Sequence, residues 1–119
     1  MRYLMLIYDE EPTTQPSQEE TDAELARWWE YDTALKDAGV FLAGEALQPS
    51  HTATTVRVKD SERIVTNGPF AETREVLGGY YLLDVPDGDT ALDWAAKCPA
   101  ATSGWMELRP IMEFDEPPS

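Results

Sequence analysis

The sequence predicts a single α+β domain. Apolar residues recur at helical spacing in two segments, and the other apolar runs are short, rich in β-branched or aromatic residues and bounded by turn-forming residues. The 119 residues fit one domain, and a hydrophobic fraction of 42%, with four Trp and five Tyr, suffices for a core. We expect this domain over residues 1–114 and an acidic tail over residues 115–119.

The first half of the chain predicts a strand, a long helix and a second strand. Residues 3–8 (YLMLIY) form a continuous apolar run that is too short for a helix. Ser17 and Glu20 form a capping box before a helix over residues 18–38, which a glycine then ends. Residues 40–47 (VFLAGEAL) predict the second strand.

The second half predicts a hairpin, a long strand, a short helix and a last strand. Asp89 is the expected N-cap of the short helix, and Pro110 suggests that the last strand is an edge strand or has a bulge. The expected ranges are strands over residues 52–59, 62–66, 76–85 and 105–114, and a helix over residues 90–97.

The order of these elements is β-α-β, a hairpin, then β-α-β. This is the ferredoxin-like split βαβ pattern with an inserted hairpin. Helices on one face of the sheet leave its other face open, and two such sheets can cover each other. We therefore expect a homodimer.

Charge and cysteine content exclude several classes of function. The 23 acidic and nine basic residues give a net charge of −14, so we expect neither nucleic-acid nor membrane-surface binding. We interpret the acidic surface as an aid to solubility, with a cationic partner as the alternative. The single cysteine, Cys98, excludes an internal disulfide and a multi-cysteine zinc site, and we predict no metal and no cofactor.

The N-terminal segment and the length of the apolar runs predict a cytoplasmic protein. The start of the chain lacks the longer apolar region of a cleavable signal. No apolar stretch approaches the ~20 residues of a membrane span.

Much of the chain resembles the DGPF group of YCII-related proteins. Residues 67–85 (NGPFAETREVLGGYYLLDV) carry the resemblance, together with YLMLIY, AGVFLAGEALQPSHTATTVRV, WAAKCP and ELRPIMEF in the same order. The resemblance implies a ferredoxin-like dimer of the dimeric α+β barrel class. Enzymes of that class act on small organic molecules, and their reactions include the isomerisation of lactones and the dehydrochlorination of ring compounds. Proteins of the DGPF group are also associated with sigma factors of the extracytoplasmic-function type.

Two positions depart from the family pattern. Asn67 stands where the name of the group requires Asp, and an amide cannot act as a base. YCII-like proteins are proposed to use a His-Asp pair with the His on the first helix, whereas the one His of this sequence is His51, in a predicted loop.

Glu45 is a candidate because it interrupts an apolar strand, where an unpaired buried carboxylate would be costly. Strict alternation places Phe41 and Glu45 on one face. Arg57, expected on the neighbouring strand, is its predicted partner, either in a structural pair or in a pair that binds substrate. Arg57 alone would suit a carboxylate ligand.

The turn over residues 67–70 and Glu72 supply the other candidates. Asn67 and Phe70 would contact a ligand by hydrogen bonds and an apolar surface, or the turn is purely structural. Glu72 would act as a general base, or cap the turn or pair with an arginine. Asp32 lies one turn after Trp28, at the edge of the apolar stripe of the first predicted helix, and is either solvated or directed between helix and sheet.

The leading hypothesis is a small-molecule-binding protein, with acid–base catalysis on a small organic acid or ring compound as its activity. Glu72 or Glu45 would be the catalytic base, Arg57 would hold an anionic group, and Asn67 and Phe70 would bind substrate, in a pocket between the sheet and the first helix. The alternative is a non-enzymatic regulatory or binding protein, such as a sigma-factor partner. Convergence of the five residues on a pocket favours the former, and dispersal beside an exposed apolar patch favours the latter.

Overall fold

The computed structural model describes residues 1–115, which form six strands and two helices. The predicted acidic tail lies, apart from Asp115, outside the described residues. The strands are β1 (Arg2–Glu10), β2 (Phe41–Ala46), β3 (Thr54–Lys59), β4 (Glu62–Asn67), β5 (Glu75–Asp84) and β6 (Trp105–Pro110), and the helices are α1 (Gln18–Asp37) and α2 (Gly88–Lys97).

The main sheet has four strands in the order β2-β5-β1-β6, and all neighbours are antiparallel. This is the order expected of a ferredoxin-like split βαβ unit, so the predicted fold class is confirmed. The strands β3 and β4 form a separate two-stranded hairpin between β2 and β5.

Local signals determine both ends of α1. The backbone N–H of Glu20 donates to the hydroxyl of Ser17 at 3.1 Å, which confirms the predicted N-cap. Gly39 adopts a φ of +74°, and the N–H of Val40 donates to the carbonyl of Leu35 at 3.2 Å. This is a Schellman-type C-cap, as the glycine predicted.

The ends of α2 and β6 differ from the prediction. Asp87, not Asp89, is the N-cap, because its carboxylate accepts hydrogen bonds at 2.8 Å from the N–H and the hydroxyl of Thr90. The last strand ends at Pro110 rather than at Phe114, since proline lacks the N–H that a sheet ladder requires.

A bulge in β2 changes which residues share a face. Phe41 pairs with Leu83, and the register then shifts so that Glu45 pairs with Tyr80. Phe41 therefore packs against the helix-covered core, whereas Glu45 lies on the opposite face. The prediction that strict alternation places Phe41 and Glu45 on one face is wrong.

The core lies between one face of the sheet and the two helices. Met5, Leu35 and Leu83 are its largest fully buried side chains. The complete buried set is Met5, Ile7, Tyr31, Leu35, Val40, Tyr81, Leu83, Val85, Ala91, Ala95, Cys98 and Ala100.

The other face of the sheet is apolar, and no described element covers it. By register and alternation this open sheet face carries Leu4, Leu6, Tyr80 and Leu82, all only half-buried. The radius of gyration is 17.0 Å, against about 13.5 Å for a compact domain of this length. The chain is thus a thin body, 48 × 47 × 17 Å in extent, whose hairpin residues are almost all exposed.

Within residues 1–115, neither helix is long and apolar enough to cross a membrane.

Candidate functional site

A cavity of about 560 Å³ lies between α1 and the helix-covered face of the sheet. Its floor is a strip of small residues on two neighbouring strands, Gly44 and Ala46 of β2 and Gly79 of β5. Because these positions lack large side chains, the sheet remains uncovered beneath the helix. We call this space the α1 cavity; its helical wall consists of Leu25, Trp28 and Trp29.

Aromatic rings hold Tyr81 in place in the wall of the α1 cavity. The ring of Tyr81 stacks on Trp28 with centroids 6.4 Å apart and planes at 21°. Tyr31 and Phe41 meet it edge-on, with centroid separations of 5.5 and 6.2 Å. Such contacts leave Tyr81 only 7% exposed, so its hydroxyl has a defined position.

The hydroxyl of Tyr81 donates a hydrogen bond to Oδ1 of Asp32. Burial, reinforced by this bond, raises the pKa of Tyr81 well above its usual range. Tyr81 therefore keeps its proton at neutral pH and acts as the donor. Asp32 is half-buried, and no hydrogen bond among residues 1–115 engages its Oδ2 atom. That oxygen can accept a hydrogen bond from a ligand.

Two further buried groups beside the α1 cavity have structural roles. The hydroxyl of Tyr31 donates to the carbonyl oxygen of Trp94 at 2.7 Å and so ties α1 to α2. Cys98 is 3% exposed, and burial raises the pKa of its thiol to about 11. The thiol is protonated at neutral pH, and Cys98 belongs to the hydrophobic core.

The charged residues that line the α1 cavity are all acidic. Two of them form ion pairs at the rim: Glu24 with Arg27, and Glu10 with Arg74. The indole Nε1 of Trp28 also donates to Glu24 at 3.0 Å. The acidic lining residues are Asp9, Glu10, Glu11, Glu24, Asp32 and Glu45.

Three of these carboxylates receive hydrogen bonds from neutral donors only, within the described chain. The backbone N–H and hydroxyl of Ser50 donate to Glu11, and they lower the pKa of that carboxyl. The hydroxyl of Ser103 donates to Asp9 at 2.7 Å, and Tyr81 donates to Asp32. The α1 cavity is therefore walled by uncompensated negative charge.

The structure places a pocket where the sequence predicts one, but only Glu45 of the five candidate residues lines it. Even Glu45 directs its side chain to the opposite face, through the bulge in β2. Arg57 lies opposite Ile64 in the hairpin, and no ion pair of the described residues joins it to Glu45. The predicted Glu45–Arg57 pair is wrong, because β3 is not in the main sheet and so cannot neighbour β2.

The other three candidates lie on or beside the hairpin. Asn67 is the last residue of β4, and Glu72 is exposed and lines neither cavity described here. Phe70 is 90% exposed at the mouth of a second cavity of about 580 Å³. Gly68 has a φ of +97°, and its N–H donates to the carbonyl of Ala53 at 2.7 Å, so the turn joins the two ends of the hairpin.

The second cavity lies between the hairpin and the sheet, and its described lining contains no charged side chain. Tyr8 and Leu77 connect it to the open sheet face. No group of His, Cys, Asp and Glu within residues 1–115 could hold a metal ion.

Sequence reasoning gave too little weight to Trp28, Asp32 and Tyr81. One turn of helix separates Trp28 from Asp32, and this spacing was the available signal. Nothing local in the sequence indicates that Tyr81, on a distant strand, donates to Asp32.

Comparison with known proteins assigns the chain to a family. The uncharacterised protein R00369 of Rhizobium meliloti (strain 1021) is 36% identical over 114 residues, which cover 93% of this chain and 92% of that protein. The 5-chloro-2-hydroxyhydroquinone dehydrochlorinase of Burkholderia phenoliruptrix AC1100, solved in complex with 2,5-dihydroxybenzoquinone, has a TM-score of 0.54 at 13% identity, covering 96% of each chain. This likeness concerns the fold and is consistent with a dimeric α+β barrel. The narrower resemblance to the DGPF group stays a prediction. The family model of the YCII-related domain matches residues 1–115, and the chain therefore belongs to the YCII-related family.

Proposed function

We propose that the protein binds a small, flat organic molecule in the α1 cavity, where Asp32 accepts a proton or a hydrogen bond from the ligand. The observation that supports this most directly is the hydrogen bond from Tyr81 to Asp32 in an aromatic wall. A volume of about 560 Å³ lies within the range of about 300–1,000 Å³ of small-molecule sites. The name of the dehydrochlorinase with the same fold, and its bound benzoquinone, support a ligand of ring size.

The two residues have different parts in this proposal. Tyr81 keeps its proton and orients the carboxylate, as the third member of a catalytic constellation orients a base. Asp32 then offers Oδ2 to a ligand hydroxyl, N–H or acidic C–H, within the reach of about 2.6–3.2 Å that a general base requires.

A homodimer is the second part of the proposal. Two open sheet faces would bury Leu4, Leu6, Tyr80 and Leu82 against each other, and the large radius of gyration supports a partner for this thin body. The hairpin residues expected at the site then become candidates through a second copy, because the second cavity adjoins the open sheet face. They are Arg57, Asn67, Phe70 and Glu72.

The alternative, a non-enzymatic regulatory or binding protein such as a sigma-factor partner, has two observations in its favour. The five predicted site residues do not converge, and apolar side chains of the hairpin are exposed. A monomer in solution would favour this alternative, since the exposed surface would then be available to another protein. The cytoplasmic location stays a prediction.

The test is a ligand screen of phenols, quinones and lactones, followed by tryptophan fluorescence and thermal shift. A ligand at about 100 times its Kd should raise the melting temperature by about 10 °C. Asp32→Asn should retain binding but abolish exchange of acidic ligand C–H for solvent deuterium, measured by NMR. Asp37→Asn, an exposed acid on the same helix, is the control for charge.

Three outcomes discriminate among the hypotheses. Loss of exchange in Asp32→Asn alone supports the proposal. Loss of exchange in Glu72→Gln, with normal exchange in Asp32→Asn, would show that Glu72 and not Asp32 is the base. Absence of binding across the screen would overturn the small-molecule proposal.

A further inference from the structure

The charge of the α1 cavity indicates the class of ligand. We propose that this cavity selects compact organic cations, such as a primary amine or a protonated nitrogen heterocycle on a flat apolar body, and rejects organic anions. The inference rests on the proposed use of the cavity for a small molecule and adds the chemistry of that molecule.

The first step is the sign of the charge inside the α1 cavity. Asp9, Glu11 and Asp32 line it, and within residues 1–115 none of the three forms an ion pair with a Lys or Arg. The two arginines near the rim are already paired, with Glu24 and Glu10. An entering anion would meet three carboxylates and find no free cation among the lining residues, whereas an entering cation would be attracted.

The second step is the aromatic wall. Indole faces attract cations through the quadrupole of the ring. The protein uses this interaction elsewhere, since Lys97 Nζ lies 5.0 Å from the centroid of Trp94 and Lys36 Nζ lies 4.9 Å from that of Phe41. Tyr81 stacks on one face of Trp28, but no such cation covers Trp28 or Trp29 in the described chain, so a ligand cation would have no competitor for the indole faces that Tyr81 leaves open.

The third step is the position of Asp32. Its free Oδ2 lies on the same helix as Trp28 and one turn further along. An ammonium group can donate to Oδ2 while the body that carries it lies over the strip formed by Gly44, Ala46 and Gly79. A carboxylate ligand has no donor for this oxygen. The proposal therefore disfavours an organic acid in the α1 cavity, where Arg57 is not among the lining residues.

The experiment uses probes of matched shape and different charge. The phenyl probes are 2-phenylethylamine, 2-phenylethanol and phenylacetate, and the same amine, alcohol and acid are used on an indole body and on a cyclohexyl body. Each probe is titrated into the protein by calorimetry at low and at high salt. We expect the amine to bind at least about tenfold more tightly than the alcohol, with no saturation by the acid, and this preference to weaken at high salt.

Two variants locate the preference. Asp32→Asn should lower the affinity for the amine about tenfold and leave that for the alcohol unchanged. Asp37→Asn makes the same change of net charge on the exposed side of α1 and should leave both affinities unchanged. An equal loss in both variants would mean that the −14 net charge, and not the cavity, selects the cation.

The outcomes separate this inference from the proposed function. If the acid or the alcohol binds as well as the amine, the ligand class is wrong and the cavity is still a small-molecule site. If none of these probes binds but a phenol, quinone or lactone does, only the ligand class is wrong; if neither set of compounds binds, both proposals are overturned.

Discussion

Substitution of Gly44 by Ala tests whether the cavity wall is as tightly packed as the geometry indicates. A Cβ on Gly44 would lie 2.6 Å from Cδ1 and 2.8 Å from Cε1 of Tyr81, and 3.3 Å from Cε2 of Phe41. The ring of Tyr81 cannot move aside without losing contacts, because Trp28 stacks on it and Asp32 holds its hydroxyl. The substitution must therefore displace Tyr81 and weaken its bond to Asp32.

The size of the effect follows from two opposing contributions. Overpacking of a buried site costs about 1–3 kcal/mol, and the loss of glycine flexibility in the unfolded chain offsets about 0.4–1 kcal/mol of this. The net loss is centred on about 1.3 kcal/mol. With an unfolding entropy of about 0.25 kcal/mol per kelvin for a chain of this length, the melting temperature should fall by about 5 °C.

Gly78→Ala is the matched control on the neighbouring strand. A Cβ on Gly78 would have Ile7 O as its nearest neighbour, at 3.9 Å, so no atom must move. This variant should melt at or slightly above the wild-type temperature, because only the unfolded chain changes. Calorimetry at equal protein concentration excludes shifts that come from oligomerisation. Melting temperatures of Gly44→Ala and Gly78→Ala within 1 °C of each other would refute the confinement of Tyr81.

Three further predictions concern the N-cap of α2, the dimer interface and the buried cysteine and tyrosines. Asp87→Ala should lower the melting temperature, measured by circular dichroism, by a few degrees, because only Asp87 caps α2. Asp89→Ala should leave the melting temperature unchanged, and the reverse result would disprove the assignment of the N-cap. Leu6→Glu should convert the dimer to monomers, as measured by light scattering, because Leu6 lies on the open sheet face. Leu92→Glu, at an exposed position of α2, should leave the dimer intact. A monomeric wild-type protein would contradict the proposed interface. Stability to urea should be constant from about pH 6 to about pH 9 and should fall as the pH rises towards about 11. Burial raises the pKa of Cys98 from 9.0 to about 11 and also raises the pKa values of Tyr31 and Tyr81, so the folded protein keeps protons that the unfolded chain releases. A flat profile over this alkaline range would contradict the burial of these groups.

The elements of the fold could be predicted because their signals are local. Ser17 and Gly39 determine the ends of α1 through contacts within a few residues of themselves. The bulge in β2 was missed, although Gly44 inside a strand is a signal for one. A single extra residue is enough to invert the faces that alternation predicts.

The site could not be predicted in the same way, because its contacts depend on strand order. Arg57 was assigned to Glu45 on the assumption that consecutive strands are neighbours, which holds only in about two-thirds of cases. In the main sheet β2 pairs with β5 instead, and this register brings Tyr81 beside Gly44 and within reach of Asp32. The amino-acid composition did indicate the sign of the charge at the site, because the charged residues that line the α1 cavity are acidic, as most charged residues of the chain are.

The bulge in β2 leaves one position of this strand without a partner in β5, and this affects how the cavity can change. Leu42 is the residue that the register against β5 skips, and it is half exposed. Deletion of this one position would remove the bulge and leave the pairing of Gly44 with Tyr81 and of Glu45 with Tyr80 unchanged. Over evolution, the floor of the α1 cavity can therefore vary by substitution at Ala46 and tolerate the loss of the bulge residue, whereas a second deletion between Phe41 and Gly44 would move Gly44 to the open sheet face and exchange a ligand-facing surface for a partner-facing one.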